Sequence, residues 1–278
     1  MMDLIKSNYY ILLAVLISLL IFLILLKIYL LKIYKKEIIH VEAACTIGKE
    51  EVQEDSFKVV TSDFGTLAVL ADGFGKNRGG KISSKVAVNT FIDIFLNHRT
   101  SGKMEYFFNK AFSSSNREIL NRINGNQGGT SLVSAAIIDG FLYYAMVGDT
   151  IIAVLRDDEL FKVNEGHTLD VLAKQGFYEG KLSREIALSA VNERKLLYYL
   201  GMEEFKNFEI FDTPIKMKKN DIIVLMNRGI YEALTWADIE STIKDNNFSG
   251  IGKKIIDKID NLQKEDKYNG AIILMKYL

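Results

Sequence analysis

Leu67-Ala68-Val69-Leu70-Ala71-Asp72-Gly73-Phe74-Gly75 is the stretch that most constrains how this chain can fold. Five apolar residues in a row read as a buried strand, and they deliver one carboxylate, Asp72, to the strand's end. The glycines that follow let the backbone turn tightly. Ser83-Ser84 then offers a cap for a helix in which Val88, Phe91, Ile92, Phe95 and Leu96 recur at helical spacing. The unit is strand, acidic glycine turn, helix. Taken alone, such a turn is compatible with a bound cation or with no ligand at all.

The rest of the chain supplies more of the same parts. Ile38 to Ala44, Ser56 to Thr61 and the strand from Gly65 read as three short strands in succession, with Lys49-Glu50-Glu51-Val52-Gln53-Glu54-Asp55 turning between the first two. A second helix is expected over Met104 to Ile123. Thr130 to Ile138 and Phe141 to Val147 flank Asp139-Gly140, a strong hairpin signal, and Thr150 to Leu155 and Glu159 to Val163 extend this into a four-stranded meander. His167 to Gly201 reads as helical. Strands at Phe208 to Phe211, Asp221 to Met226 and Gly270 to Tyr277, with helices at Trp236 to Lys244 and Ile251 to Leu262, complete an α+β layer arrangement.

Tyr9 to Leu26 carry no charge, and the apolar run continues past Lys27 to Leu31. A helix over residues 9–31 is long enough to span a hydrocarbon core of roughly 30 Å. The expected organisation is therefore a short segment 1–8, a single transmembrane helix 9–31, a basic linker 32–37 and one domain over 38–278. Lys27, Lys32, Lys35 and Lys36 outweigh Lys6, which places the C-terminal domain on the cytoplasmic side of the cell membrane. Lysine plus arginine equals aspartate plus glutamate at 35 each, so no basic field points to nucleic acid. A single cysteine, Cys45, excludes an internal disulfide, and the scattered His40, His98 and His167 build no zinc site. A metal here would need oxygen ligands.

In order along residues 38–278, Glu54-Asp55, Ala71-Asp72-Gly73-Phe74-Gly75 with Gly80 and Ser84, Gly129-Thr130-Ser131, Tyr143 to Thr150, His167-Thr168-Leu169, Asn192 with Leu200-Gly201, and Asp221 to Leu225 follow a known sequence of motifs. The chain resembles the metal-dependent protein phosphatases of the protein phosphatase 2C (PPM) family. That resemblance implies a β-sandwich of two antiparallel sheets flanked by helices, here preceded by the single transmembrane helix. It also implies a two-metal Mg or Mn site at one end, whose bound water attacks a phosphoserine or phosphothreonine. Asp72 matches the bridging carboxylate, the Gly73 carbonyl the backbone ligand, and Glu54 and Asp55 the pair that orients metal-bound water. Asp149 is either a tight-turn residue or an accessory ligand. His167 is expected to be a helix-entry or packing residue rather than a catalyst.

Three matched positions differ in chemistry. Arg228, in Asn227-Arg228-Gly229, stands where the family places a second-metal carboxylate. Tyr268 stands at the other, with Asp266 two residues earlier as an alternative ligand, and Glu50 stands at the phosphate-binding Arg of the first turn. A unit charge about 4 Å from another interacts by roughly 4 kcal/mol at an effective dielectric near 20, and twice that for a divalent ion, so Arg228 opposes a second metal. Arg228 is expected instead to pair with Asp72. The resulting expectation is a membrane-anchored pseudophosphatase, a cytoplasmic binding or regulatory module for phosphoproteins, with Mg or Mn at one site or none. The alternative is an active Ser/Thr phosphatase with a one-metal or rearranged site.

Overall fold

The computed structural model describes residues 13–27, 38–97, 104–123, 128–191, 195–264 and 266–278. It falls into two units, 1–38 and 39–278. In the first, helix α1 covers residues 13–27, about 22 Å at the usual rise, and its Leu, Ile and Val side chains are exposed. Among the described residues no helix is long and apolar enough to cross a membrane. The remainder of the expected span 9–31, the segment 1–8 and the linker 32–37 lie outside the described residues.

The second unit contains strands β1 (Ile39–Thr46), β2 (Ser56–Ser62), β3 (Gly65–Gly75), β4 (Gly128–Ile138), β5 (Phe141–Val147), β6 (Ile151–Arg156), β7 (Glu159–Lys162), β8 (Glu209–Ile210), β9 (Ile215–Lys216), β10 (Ile222–Met226) and β11 (Gly270–Tyr277). One sheet runs β1-β11-β10-β6-β7, the other β2-β3-β4-β5-β8 with β9 also on β5, all antiparallel. The expected α+β sandwich of two antiparallel sheets is what forms.

Side-chain alternation builds four layers from these strands. Leu70, Val133 and Ile137 of one sheet meet Ile152, Val154, Leu225 and Ile273 of the other in the central core. The opposite faces of the same strands are also covered. Leu67, Val69 and Leu132 pack under α2 (Gly79–Asn97) and α3 (Met104–Ile123), while Val224, Ile272 and Leu274 pack under α7 (Trp236–Lys244) and α8 (Ile251–Asp260). Burial on both faces explains why the middles of β3, β10 and β11 read as unbroken apolar runs. The chain also forms α4 (Leu169–Tyr178), which packs with α5 (Arg184–Val191), and the single-turn α6 (Arg228–Tyr231), which lies against β11.

Several sequence expectations need correction. The three strands expected in succession form, but they divide between the sheets, β1 pairing with β11 whereas β2 and β3 pair together. The four-stranded meander is split: the chain leaves one sheet after β5 and enters the other at β6, turning at Gly148 with φ +94. Gly148 can do this because a Cβ there would collide with Ser131. Residues 167–201 are not continuously helical; after α5 the chain returns in extended form, with Thr130 bridging Leu200. Ser83 and Ser84 do not cap α2, which already begins at Gly79 and buries both. The hairpin at Asp139-Gly140 forms as expected, both residues having positive φ.

Candidate active-site cleft

The ends of β3, β5 and β10 and the starts of β2, β4 and β11 gather at one end of the sandwich around a cleft of about 660 Å³. Glu50, Glu54, Asp72, Gly73, Asp149, Arg228 and Tyr268 all line it, so seven residues singled out from the sequence converge in space. Asp266 does not line it and is exposed. The motif residue Asn192 lies outside the described residues.

Register places the acids. Ser56 pairs with Ala71, which sets Asp55 beside Asp72, and Asp72 pairs with Ser131 on β4. The Ser131 hydroxyl donates to Asp149 Oδ1 at 2.8 Å, so the third carboxylate is fixed from the next strand. Gly73 is required where β3 passes the start of α2: a Cβ there would run into the carbonyls of Gly80 and Glu54. Gly73→Ala should therefore displace α2 from the acidic pair and cost about 3 kcal/mol or more, read as a lowered urea midpoint. A midpoint within error of wild type would show that this contact yields freely.

Electrostatically the floor of the cleft is under strain. Burial pushes Asp55 up to about 7, even though Asp72 and Asn227 hydrogen-bond to it. Burial, followed by the Asp55 and Asp149 charges, holds Asp72 well above the usual carboxylate range. Each carboxyl acts on the other, so burial favours a proton held between Asp55 and Asp72. Burial also raises Asp149, against the hydrogen bond from Ser131 and the attraction of Arg228. Glu54 is raised too, by burial, although its carboxylate accepts the Lys81 N–H in the first turn of α2. Asp55 Oδ1 is buried with no N–H or hydroxyl of the described residues to satisfy it, which leaves it to a proton shared with Asp72, a water or a cation.

Arg228 is not where the sequence suggested. It does not pair with Asp72. Its Nε lies 2.9 Å from Glu232 Oε2 in an i,i+4 ion pair, and its guanidinium carbon sits 5.1 Å from the centre of the Tyr268 ring. A carboxylate one helical turn away reaches Arg228 with less loss of side-chain freedom than Asp72, which belongs to the other sheet. Only Asp149, among the three floor carboxylates, feels its charge strongly.

The residue the sequence reading passed over is Asn227. Fully buried, it donates from Nδ2 to Asp55 Oδ2 at 2.9 Å and to the Asn269 carbonyl at 3.1 Å, and its Oδ1 accepts the Ala271 N–H at 2.8 Å. It thus ties the end of β10 and the start of β11 to the acid pair of the other sheet. Asn269 makes a second tie, its Oδ1 accepting the Glu54 N–H at 2.7 Å. The only sequence signal for either was an asparagine at the end of one apolar strand and another at the start of the next. His167 is structural as expected: burial lowers it, and its Nδ1 accepts the Gly148 N–H at 3.3 Å.

Comparison with known proteins agrees with this architecture. The serine/threonine phosphatase stp of Listeria innocua is 26% identical over 185 residues, 64% of this chain and 71% of that protein. Among solved structures, the S. agalactiae serine/threonine phosphatase superposes with a TM-score of 0.74 at 20% identity, covering 86% of this chain and 99% of that one. The catalytic domain of the serine/threonine protein phosphatase PstP, in complex with two manganese ions, gives 0.68 at 18% identity over 87% of this chain and all of that one. The family model described as Protein phosphatase 2C matches residues 45–197, from the end of β1 past the α4–α5 pair. On that match, and with the sandwich and its terminal acidic cleft in place, the chain belongs to the protein phosphatase 2C family.

Proposed function

We propose that this domain has given up the two-metal reaction and serves as a membrane-anchored binding or regulatory module in phosphoprotein signalling, a pseudophosphatase. Its place would be the cytoplasmic face, held by the apolar run 9–31 with the lysines that follow it. The partner class is a phosphorylated protein, and the balanced charge of the chain gives no argument for nucleic acid.

One observation carries this reading: a guanidinium and a phenol ring, Arg228 and Tyr268, stack on each other at the cleft where the family resemblance calls for two carboxylates. Arg228 cannot shed its proton, and its charge already acts on Asp149. The donor set does not fit a second divalent ion. For a single Mg or Mn ion donors do remain, in the Asp72 carboxylate, the Gly73 carbonyl and the unsatisfied Asp55 Oδ1, with Glu54 beside them. Such an ion would supply positive charge to the floor in place of the shared proton. Those remaining donors favour a second reading, hydrolysis of phosphoserine or phosphothreonine at a one-metal site.

Turnover separates the two. The full chain in detergent micelles with Mn²⁺ or Mg²⁺ is expected to hydrolyse neither p-nitrophenyl phosphate nor a phosphothreonine peptide above the rate of Asp72→Asn. A clear rate that Asp72→Asn abolishes would establish the one-metal enzyme and end the pseudophosphatase reading. Calorimetry gives an independent measure. Wild type should bind at most one Mn²⁺, and the double substitution Arg228→Asp with Tyr268→Asp should bind two; two ions on wild type would contradict the proposed exclusion.

A further inference from the structure

The cleft holds a second arginine, and among the described residues this one has no partner. Arg78 lines the same cavity as Asp72 and Arg228 and is exposed. Among the described residues its side chain makes no ion pair and no hydrogen bond, although Glu50, Glu51 and Glu54 line the cavity with it. Arg228, by contrast, is held by Glu232 and by the Tyr268 ring. The backbone that presents Arg78 is fixed. The Lys76 carbonyl accepts the Gly79 N–H at 2.8 Å, and the Arg78 carbonyl accepts the Ile82 N–H at 3.1 Å, locking the turn onto α2. Both Asn77 and Arg78 sit in the left-handed region, at φ 52 and 66. A side chain there costs on the order of 1 kcal/mol that glycine would not, and glycines stand at 75, 79 and 80 all around it. The turn keeps a guanidinium at a strained position and aims it at nothing of its own.

We propose that Arg78 is the phosphate-binding side chain of this cleft, taking over a task for which the first turn offers only Glu50. A phosphoserine or phosphothreonine monoester, a dianion above a pH of about 6, presents the planar oxygen pairs that a guanidinium fork matches. The first turn of α2 carries no acidic residue that would compete for Arg78 from its own element. Val52, Phe74 and Leu196 line the same cavity and offer apolar contact for the remainder of a phosphorylated side chain. Glu50 and Glu51 oppose the anion. They set a limit on affinity that the Arg78 charge must overcome.

This assignment rests on the phosphoprotein reading above, and the test keeps the two separable. Fluorescence anisotropy would compare a labelled peptide carrying one phosphothreonine with its unphosphorylated twin, on the full chain in micelles with EDTA, and ³¹P line broadening would follow inorganic phosphate. Wild type should prefer the phosphorylated peptide by roughly tenfold, and the preference should fall as the pH drops below about 6. Arg78→Gln should remove most of it with an unchanged melting temperature, Arg78→Lys should keep a part, and Glu50→Gln should enlarge it. A preference that survives Arg78→Gln intact would overturn the role of Arg78 while leaving the phosphoprotein reading standing. Inorganic phosphate broadened through Arg78 with no peptide preference would keep the anion site and remove phosphoprotein as its ligand. Binding of neither probe would overturn both.

Discussion

In EDTA the full chain is expected to lose stability as the pH rises from about 5 to 8, and Asp72→Asn should flatten that loss. Burial pushes Asp55 up to about 7 and holds Asp72 well above the usual range, whereas in the unfolded chain both return to about 3.9. Between those values the native state keeps protons that the unfolded chain has released. Stability from this pair is therefore greatest at the acid end and declines as the pH approaches the native values. A group displaced from about 4 to about 7 is linked to roughly 4 kcal/mol at the limit, so a change of a few kcal/mol across the interval is the expected order. For a domain of this size that is roughly 5–10 °C in the melting midpoint. Asparagine at 72 donates an amide N–H to Asp55 without adding a second charge, so the variant should melt higher than wild type at pH 8 and match it near pH 5. Parallel profiles for the two proteins would mean that the carboxyls do not share a proton.

The largest loss should come from Asn227→Ala. Its side chain satisfies three buried groups at once: Asp55 Oδ2, the Ala271 N–H and the Asn269 carbonyl. Leaving a buried group unpaired costs about 1–3 kcal/mol, more for a carboxylate, so a total of about 3–5 kcal/mol is expected. Urea denaturation should show a lowered midpoint with an unchanged slope. Asn227→Asp distinguishes a lost hydrogen bond from lost volume. It retains the shape but adds a third acid beside Asp55 and Asp72, so it should be far more damaging at pH 8 than at pH 5. If alanine cost less than 1 kcal/mol, the seam between the sheets would have to be held by packing alone.

The layers were legible in the sequence because burial on both faces turns a strand into an uninterrupted apolar run, as in Leu67 to Ala71 and Ile222 to Met226. Sheet membership was not. Whether β6 continues beside β5 or crosses to the other sheet depends on one turn at Gly148, and nothing in the local pattern of Ile151 to Leu155 differs between the outcomes. The seven cleft residues were found because side-chain chemistry and order are local properties. Their partners are not local: Asn227 lies 172 residues from Asp55, and no periodicity connects them. The error over Arg228 has the opposite origin. Its partner Glu232 stood one helical turn away, but a long-range pairing with Asp72 was favoured over the nearer carboxylate.

Glu54, Asp55, Asp72 and Asp149 all sit at the ends of β2, β3 and β5, whereas Asn227, Arg228, Tyr268 and Asn269 sit at the ends of β10 and β11. The amides of Asn227 and Asn269 stitch one group to the other with uncharged arms. A seam sewn this way joins the sheets through groups that no chelator removes. The domain would hold its shape empty or loaded, and a partner that recognises that shape could dock on it without waiting for a metal.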